Sequence, residues 1–440
     1  MAMTDNDILS RVGKGTPMGS LMRQFWIPAC KSSELIVDGD PLRLMLLGEK
    51  LIAFRDSTGR VGIFDHQCPH RCASFFYGRN EENGLRCVYH GWKFDVDGNC
   101  LDQPNIPEQN KFLDGVKAIA YKTTERAGLV YVYMGERAVP PPLPDIEPTM
   151  CEPEDAITVL TQRDSNWLQH LEGDVDTSHV AFLHFGGVDV SRLDPNELSL
   201  PTMVEKAPQF NATETDFGAM YSASRPAGNG KDHHRFGCFV FPFWVTYPSG
   251  PLETACSANA WVPIDDEHTM VFNIGVKSQT GVGRAMRYKD GEIVPGLARP
   301  IEYLPNTTDW MGRFRSARNE TNDYGIDREA QRTTSFSGII GVPMQDHAII
   351  DSLGPIVNRE LEHLASSDRM IVVTRRRLLE AALEYQETGK LPEIVDNPSL
   401  CRDIRGGDIL VPAGTDWLEG YWDAMKRAQG PTHPLANAAE

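Results

Sequence analysis

Two short motifs, Cys68-Pro69-His70 and Cys87-Val88-Tyr89-His90, constrain this chain more than any other feature, because each offers one thiol and one imidazole at close spacing. A fold that uses all four donors must bring two separate loops face to face. Two Cys and two His can hold one zinc ion in a tetrahedral site. They can equally hold a two-iron, two-sulfur cluster in which one iron keeps two thiolates and the other takes two imidazoles. Zinc ribbons tend to pair like with like, whereas here each loop mixes its ligands, as a diiron site drawing one ligand of each kind from two facing loops requires. The mixed order is that of a Rieske cluster, and it predicts a chain that handles single electrons.

Such a cluster only relays electrons, so a chain of 440 residues should also contain the place where they are used. The run Asn166-Trp167-Leu168-Gln169-His170-Leu171-Glu172-Gly173-Asp174-Val175-Asp176-Thr177-Ser178-His179-Val180-Ala181-Phe182-Leu183-His184 supplies a candidate. Two His and one carboxylate form the facial triad of mononuclear iron(II) oxygenases, which leaves open positions for dioxygen and substrate. On a regular helix His179 and His184 would point about 140° apart, since each residue turns about 100°. A shared ion therefore demands a helix end or a π-bulge between them. Asp176, three residues before His179, should share its face.

The stretch CPHRCASFFYGRNEENGLRCVYHGWKFD, with Arg71, Gly91, Trp92 and Phe94 around the ligands, resembles the cluster-binding segment of Rieske non-haem iron oxygenases. The run from Asn166 to His184 is similar to their N-W…D-x-x-H-x-x-x-x-H motif. The resemblance implies that Cys68, His70, Cys87 and His90 hold a Rieske 2Fe-2S cluster, and that His179 and His184 bind a mononuclear iron(II). Asp176 then matches the catalytic position that joins an iron-ligating His to a cluster His of the neighbouring subunit. The third ligand implied is a carboxylate far downstream, Asp346 in Gly341-Val342-Pro343-Met344-Gln345-Asp346-His347-Ala348-Ile349-Ile350-Asp351. Asp351 is the competitor; Asp346 is favoured because a helix start would follow Pro343.

Val12-Gly13-Lys14-Gly15-Thr16-Pro17-Met18-Gly19 and Asn358-Arg359-Glu360-Leu361-Glu362-His363-Leu364 extend the likeness to the group of oxygenase components that includes phthalate dioxygenase. That implies an α-subunit enzyme fed by an NAD(P)H-dependent flavin and 2Fe-2S reductase. It also implies dioxygen as co-substrate, hydroxylation of an aromatic carboxylic acid, and a homotrimer or a stack of two trimers. O-demethylation of a methoxylated acid is the runner-up, and an electron-transfer protein without oxygenase chemistry is the alternative from another class. Arg235 falls where this group places a carboxylate-binding Arg, which suits a planar guanidinium; a strand-edge salt bridge is the competing use. The second basic residue expected upstream is replaced by Gln209, which favours an aromatic monoacid over an ortho-diacid. Ser178, beside an implied ligand, is a candidate substrate contact, whereas Phe239, Phe241, Phe243 and Trp244 are expected mostly in the core.

A net charge of −18 argues against nucleic acid or an anionic membrane as partner, since phosphate binding needs clustered Lys and Arg. The opening MAMTDNDILSRVGKG has neither an apolar signal region nor an Arg-rich presequence, which predicts a cytoplasmic protein. Nine scattered cysteines suit metal ligands plus free thiols better than a disulfide framework, and Cys72 and Cys100 read as packing residues. The apolar runs Leu44 to Leu47, Leu51 to Phe54 and Val61 to Phe64 are split by turn residues, so the first ligand loop should lie at the tip of a small antiparallel β domain. Gly128 to Met134 closes that domain, and Pro140 to Pro144 forms a stiff connector. Apolar runs at Cys238 to Tyr247, Ala258 to Pro263 and Met270 to Val276 read as strands, and Ser366-Ser367-Asp368 can cap a helix from Arg369 to Thr388. The fold class expected is α+β: a helical segment over 1–25, an antiparallel β Rieske domain over 26–137, and a catalytic domain over 138–440 whose antiparallel sheet is flanked by helices, as the resemblance implies.

Overall fold

The computed structural model describes residues 3–277, 286–298, 300–428 and 430–431. Two short helices come first, α1 (Asp5–Ser10) and α2 (Pro17–Met22). Thr4 and Thr16 start them by accepting the Asp7 and Gly19 N–H groups. The first sheet region holds β1 (Trp26–Lys31), β2 (Leu42–Leu46), β3 (Glu49–Arg55), β4 (Val61–Asp65), β5 (Arg79–Glu81), β6 (Gly84–Arg86), β7 (Lys93–Phe94), β8 (Cys100–Asp102), β9 (Ala120–Arg126) and β10 (Leu129–Tyr133). Among the described residues they form an antiparallel sheet in the order β1-β10-β9-β4-β3-β2 and a smaller one in the order β5-β6-β7-β8. The small sheet carries the two Cys/His loops, one entering it from β4 and one joining β6 to β7.

The β2–β3 turn falls one residue earlier than the apolar pattern suggests. Leu47 (φ 50°) and Gly48 (φ 77°) occupy the two left-handed positions that a tight two-residue hairpin needs. The strain at Leu47 is offset because the turn docks: its N–H and that of Gly48 donate to Pro263 O and Ile264 O at 3.0 and 2.8 Å. The tip is thereby fixed to the second sheet.

That sheet contains β11 (Ala156–Arg163), β12 (Gln209–Thr215), β13 (Gly218–Gly228), β14 (Lys231–Val240), β15 (Trp244–Thr246), β16 (Ser257–Pro263), β17 (Thr269–Val276) and β18 (Gly407–Pro412). Among the described residues its order is β11-β17-β16-β15-β14-β13-β12, with β18 beside the first half of β14. The run from Cys238 to Tyr247 is two strands rather than one: Pro242 has no N–H to give a central ladder, and the chain turns there. Phe239, Phe241, Phe243 and Trp244 are all at most 2 % exposed and belong to the core.

Helices α3 (Trp167–Val175), α4 (Leu200–Val204), α5 (Arg328–Thr333), α6 (Val342–Asp351), α7 (Arg369–Thr388) and α8 (Trp417–Met425) surround this sheet. Helix α7 spans the range expected, burying Met370, Val373, Thr374, Leu378, Ala381 and Ala382 along one stripe against α2, β12 and β13. Its cap differs from the expectation. Asp368 makes no bond to the helix, accepting instead from Ala365 N in a preceding 3₁₀ turn. Gly389 ends the helix at φ 74°. No helix among the described residues is long and apolar enough to cross a membrane.

Glu172 of α3 ties these helices together. It accepts from Arg359 and Arg375, Arg375 also reaches Glu362, and Arg359 reaches Asn6 of α1. Glu172→Ala would take the carboxylate from the half-buried Arg359 and leave Arg375 with Glu362 alone, so a loss of about 3 kcal/mol is expected, read as a lowered thermal midpoint with the same helix content. Burial opposes the Glu172 charge, but Arg359 and Arg375 outweigh it and hold the carboxyl below its usual range. This contribution is therefore complete above the unfolded-state value of about 4.3 and is lost as pH falls below it.

Candidate metal centres and the face between them

The two Cys/His loops are congruent. In the first, Cys68 N donates to Ala73 O and Cys72 N to Cys68 O; in the second, Cys87 N donates to Trp92 O and Gly91 N to Cys87 O. The residue closing each turn is left-handed, Cys72 at φ 59° and Gly91 at φ 79°. Backbone N–H groups of His70 and Arg71 point at the Cys68 sulfur, and those of Tyr89 and His90 at the Cys87 sulfur. The thiols adjoin each other, and the hydrogen bond to Cys87, with burial, pushes Cys68 above the usual thiol range. The His70 and His90 rings lie 4.4 Å apart, with His70 stacked on Trp92 at 4.1 Å. Sulfurs thus sit inward and imidazoles outward, at a tip where Val88 and Tyr89 are exposed. This arrangement fits a diiron cluster with one all-sulfur and one imidazole side. Cys100 is buried as expected, but Cys72 is exposed and is not a packing residue: it closes the loop at a position where the other loop uses Gly.

The second constellation forms where α3 stops. Asp176 leaves the helix at φ −88°, ψ 97°, and a single π-turn over Val180–His184 follows. Its five-residue bond, Phe185 N to Val180 O at 3.0 Å, lowers the rotation per residue below that of a regular helix, so that the five residues from His179 to His184 come close to one full turn. His179 Nε2 and His184 Nε2 consequently lie 3.2 Å apart, and Asp346 Oδ1 of α6 lies 3.5 and 3.2 Å from them. Donors about 2.1 Å from one first-row metal ion are separated by about 3.0–3.4 Å, so the three atoms suit a single ion with its remaining side open. Among the described residues they are the His, Cys, Asp or Glu group of three that converges in this way. Pro343 stands in the first turn of α6, one residue inside a helix that opens at Val342.

Asp351 lies on the far side of α6. It accepts from Ser165 Oγ at 2.5 Å and Tyr324 OH at 2.6 Å, and stands 2.8 Å from His347 Nε2. Burial opposes its charge, but His347 and these partners hold it well below the usual carboxylate range. Asp176 reaches His179 from outside the helix rather than along a shared face: its Oδ2 is 3.6 Å from Nδ1, while Oδ1 accepts from Ser178 N at 2.8 Å and Ser178 Oγ at 2.5 Å. The Ser178 hydroxyl is thus turned to Asp176.

Sequence reasoning gives Arg235 a carboxylate, and the structure supplies one from within the chain. Arg235 Nη1 donates to both oxygens of Asp408 on β18, Nη2 to Pro248 O and Nε to Thr177 Oγ1. The guanidinium is committed, and its effect on the site is to hold Thr177 in place next to Ser178. Two further residues escaped sequence reasoning. Gln345 Oε1 lies 2.7 Å from His184 Nδ1, and its Nε2 is anchored on Ile339 O and Gly296 O, which leaves His184 Nε2 free to face an ion. Gln345→Leu is expected to weaken iron binding about 10–100-fold, read as iron retained against a chelator. Asp174 accepts from Asn259 Nδ2 and Trp261 Nε1 at 2.7 and 2.6 Å, yet burial pushes its carboxyl up to about 7. Only its adjacency to the motif could have pointed to it.

Comparison with known proteins bears on both centres. The model of the Rieske [2Fe-2S] domain matches residues 25–117, and that of the LigXa C-terminal domain like family matches residues 132–433. The chain is 46 % identical to the 3-chlorobenzoate-3,4-dioxygenase oxygenase subunit of Comamonas testosteroni, over 96 % of this chain and 98 % of that one. It is 36 % identical to the phthalate 4,5-dioxygenase oxygenase subunit of Pseudomonas putida, over 87 % and 86 %. Identity to the 5,5'-dehydrodivanillate O-demethylase oxygenase subunit of Sphingobium sp. is 39 %, over 92 % and 86 %. Among solved structures, dicamba monooxygenase bound to dicamba superposes with a TM-score of 0.55 at 16 % identity, over 84 % of this chain and all of that one, a likeness of fold.

Proposed function

Because the chain belongs to the Rieske non-haem iron oxygenases, as an oxygenase component of their aromatic ring-hydroxylating members, we propose that it hydroxylates an aromatic monocarboxylic acid. The observation that carries the reading is the meeting of His179, His184 and Asp346, which the π-turn permits. In this proposal Cys68 and Cys87 hold one cluster iron, His70 and His90 the other, and the three convergent side chains hold iron(II). With these groups bound, the cluster supplies single electrons and the iron activates dioxygen beside the ring. The residues of the chain do the rest. Gln345 orients His184, Asp176 orients His179, and Ser178 contacts the substrate with a hydroxyl that otherwise turns to Asp176.

Gln209 in place of a second basic residue, together with the 46 % identity to a chlorobenzoate dioxygenase subunit, supports a monoacid. An NAD(P)H-dependent flavin and 2Fe-2S reductase is the proposed electron source, in the cytoplasm. Asp176 would meet His90 of the partner subunit, a head-to-tail contact that closes as a trimer, singly or as two stacked rings. A second reading, O-demethylation of a methoxylated acid, is favoured by the demethylase relative.

The test supplies the reduced enzyme with 3-chlorobenzoate, benzoate, phthalate and a methoxybenzoate under labelled dioxygen. Two labelled oxygens in a dihydrodiol support dioxygenation, one in a phenol supports monooxygenation, and formaldehyde supports the demethylase. Dioxygen consumption that is unchanged by every acid would contradict the aromatic-acid reading.

A further inference from the structure

We propose that Asp174, in the last turn of α3, holds a proton on its free Oδ1 and gives it to the reduced dioxygen during hydroxylation. The assignment rests on the oxygenase reading above and holds for whichever aromatic acid is taken. Asp174 Oδ2 accepts from both Asn259 Nδ2 and Trp261 Nε1 of β16. Oδ1 accepts no bond among the described residues, and the residue is half-buried, so that oxygen opens onto a space instead of a partner. A proton bound by this carboxyl therefore sits on Oδ1.

What sets Asp174 apart is the lack of a cation. Glu172 has Arg359 and Arg375, Asp408 has Arg235, Asp351 has His347, and Asp176 and Asp346 have His179. Among the described residues Asp174 has two neutral N–H donors and no ion pair. A nearby cation keeps a carboxylate charged, and one taken out of water without it holds its proton more tightly. Burial accordingly pushes Asp174 up to about 7, against the two bonds it accepts. The other ionisable groups that face it are Asp346 of α6, His179, Arg163 of β11 and the phenol of Tyr247 beyond β15. His170, stacked on Trp261, is held neutral by burial.

The place suits a proton donor. The Asp346 charge raises the Asp174 carboxyl and the His179 ring draws it down, so both residues lie within its electrostatic reach. His179 and Asp346 are 25 % and 33 % exposed at the side chain and, like Asp174, only part-covered, although α3 packs on β15 and β16 and α6 packs on α3 and the π-turn. Hydroxylation consumes one dioxygen, two electrons and two protons, whether it yields a dihydrodiol or a phenol and water. The cluster carries electrons alone. His179, His184 and Asp346 turn their lone pairs to the ion, and the Ser178 hydroxyl donates to Asp176. Asp174 supplies one proton: its Oδ1–H bond breaks, the proton passes to an oxygen of the reduced dioxygen, and the carboxylate takes a proton back from solvent when product leaves. The second proton comes from solvent.

The test follows the carboxylic-acid C=O band of Asp174 by infrared difference spectroscopy, on the iron-loaded enzyme and after the mononuclear iron is chelated. Single turnovers of cluster-reduced enzyme with the aromatic acid cover the same pH range. In wild type the band is expected to fade as pH rises, with a midpoint of about 7 in the chelated protein. It should be missing from D174N, whose amide oxygen can keep both bonds from Asn259 and Trp261. The product-forming rate should fall together with the band of the iron-loaded form, since a donating acid is lost as pH rises through its own midpoint. D174N should keep cluster absorption and iron yet form product about a hundredfold more slowly, with that pH dependence gone. A wild type without such a band would overturn the assignment, as would an assembled D174N with the wild-type rate and pH profile. If D174N does not assemble, wild type decides, and separate midpoints for band and rate would overturn it. Oxidation of no aromatic acid would remove the functional reading itself, and the proton step with it.

Discussion

An Asp346→Ala protein is expected to keep its red-brown cluster, to carry about one iron fewer per chain than wild type, and to retain less than about a thousandth of the oxygenation rate. Asp346 Oδ1 is the third donor facing the His179 and His184 Nε2 atoms, and without it two imidazoles remain to hold a labile ion. The same substitution at Asp351 separates site from scaffold. Asp351 supports Ser165, Tyr324 and His347 on the other side of α6, so Asp351→Ala should leave iron content intact while lowering the thermal midpoint through stranded buried donors. Iron loss in the Asp351 variant with full iron in the Asp346 variant would reverse the ligand assignment.

Replacing Asp176 by Asn is the second large effect expected: both kinds of iron retained, turnover lowered by about a hundredfold or more. The carboxylate holds Ser178 through Oδ1 and faces His179 Nδ1 with Oδ2. Burial opposes its charge, yet His179 and Ser178 keep it below the usual carboxylate range. An amide fills the same space without the charge and presents a donor where an imidazole N–H needs an acceptor. If Asp176 also meets His90 of the partner subunit, the loss falls on electron delivery between subunits. A single-turnover measurement on enzyme with reduced clusters locates it; an unimpaired rate there would exclude the proposed bridge.

The parts of the site that the sequence displayed are those made by neighbours in the chain. The five-residue spacing of His179 and His184 demanded a break in regular helix, and the π-turn is that break. The congruent Cys/His loops are likewise local turns. What stayed hidden depends on residues far apart in sequence. Arg235 looked available because its partner Asp408 arrives on β18, 173 residues later. Gln345 sat in plain view next to Asp346, but a glutamine has no signature until His184 is found against it. Cys72 misled for a local reason: thiols are commonly buried, and the left-handed turn it closes is invisible in composition.

The most direct test of two metal centres in one chain is metal and sulfide analysis of anaerobically purified protein, with low-temperature paramagnetic resonance after dithionite reduction. Two centres in one chain predict about three irons and two acid-labile sulfides per chain, with a rhombic signal whose average g lies below the free-electron value. Two irons alone, under conditions that protect a third, would make the chain an electron carrier, and zinc alone would contradict both centres.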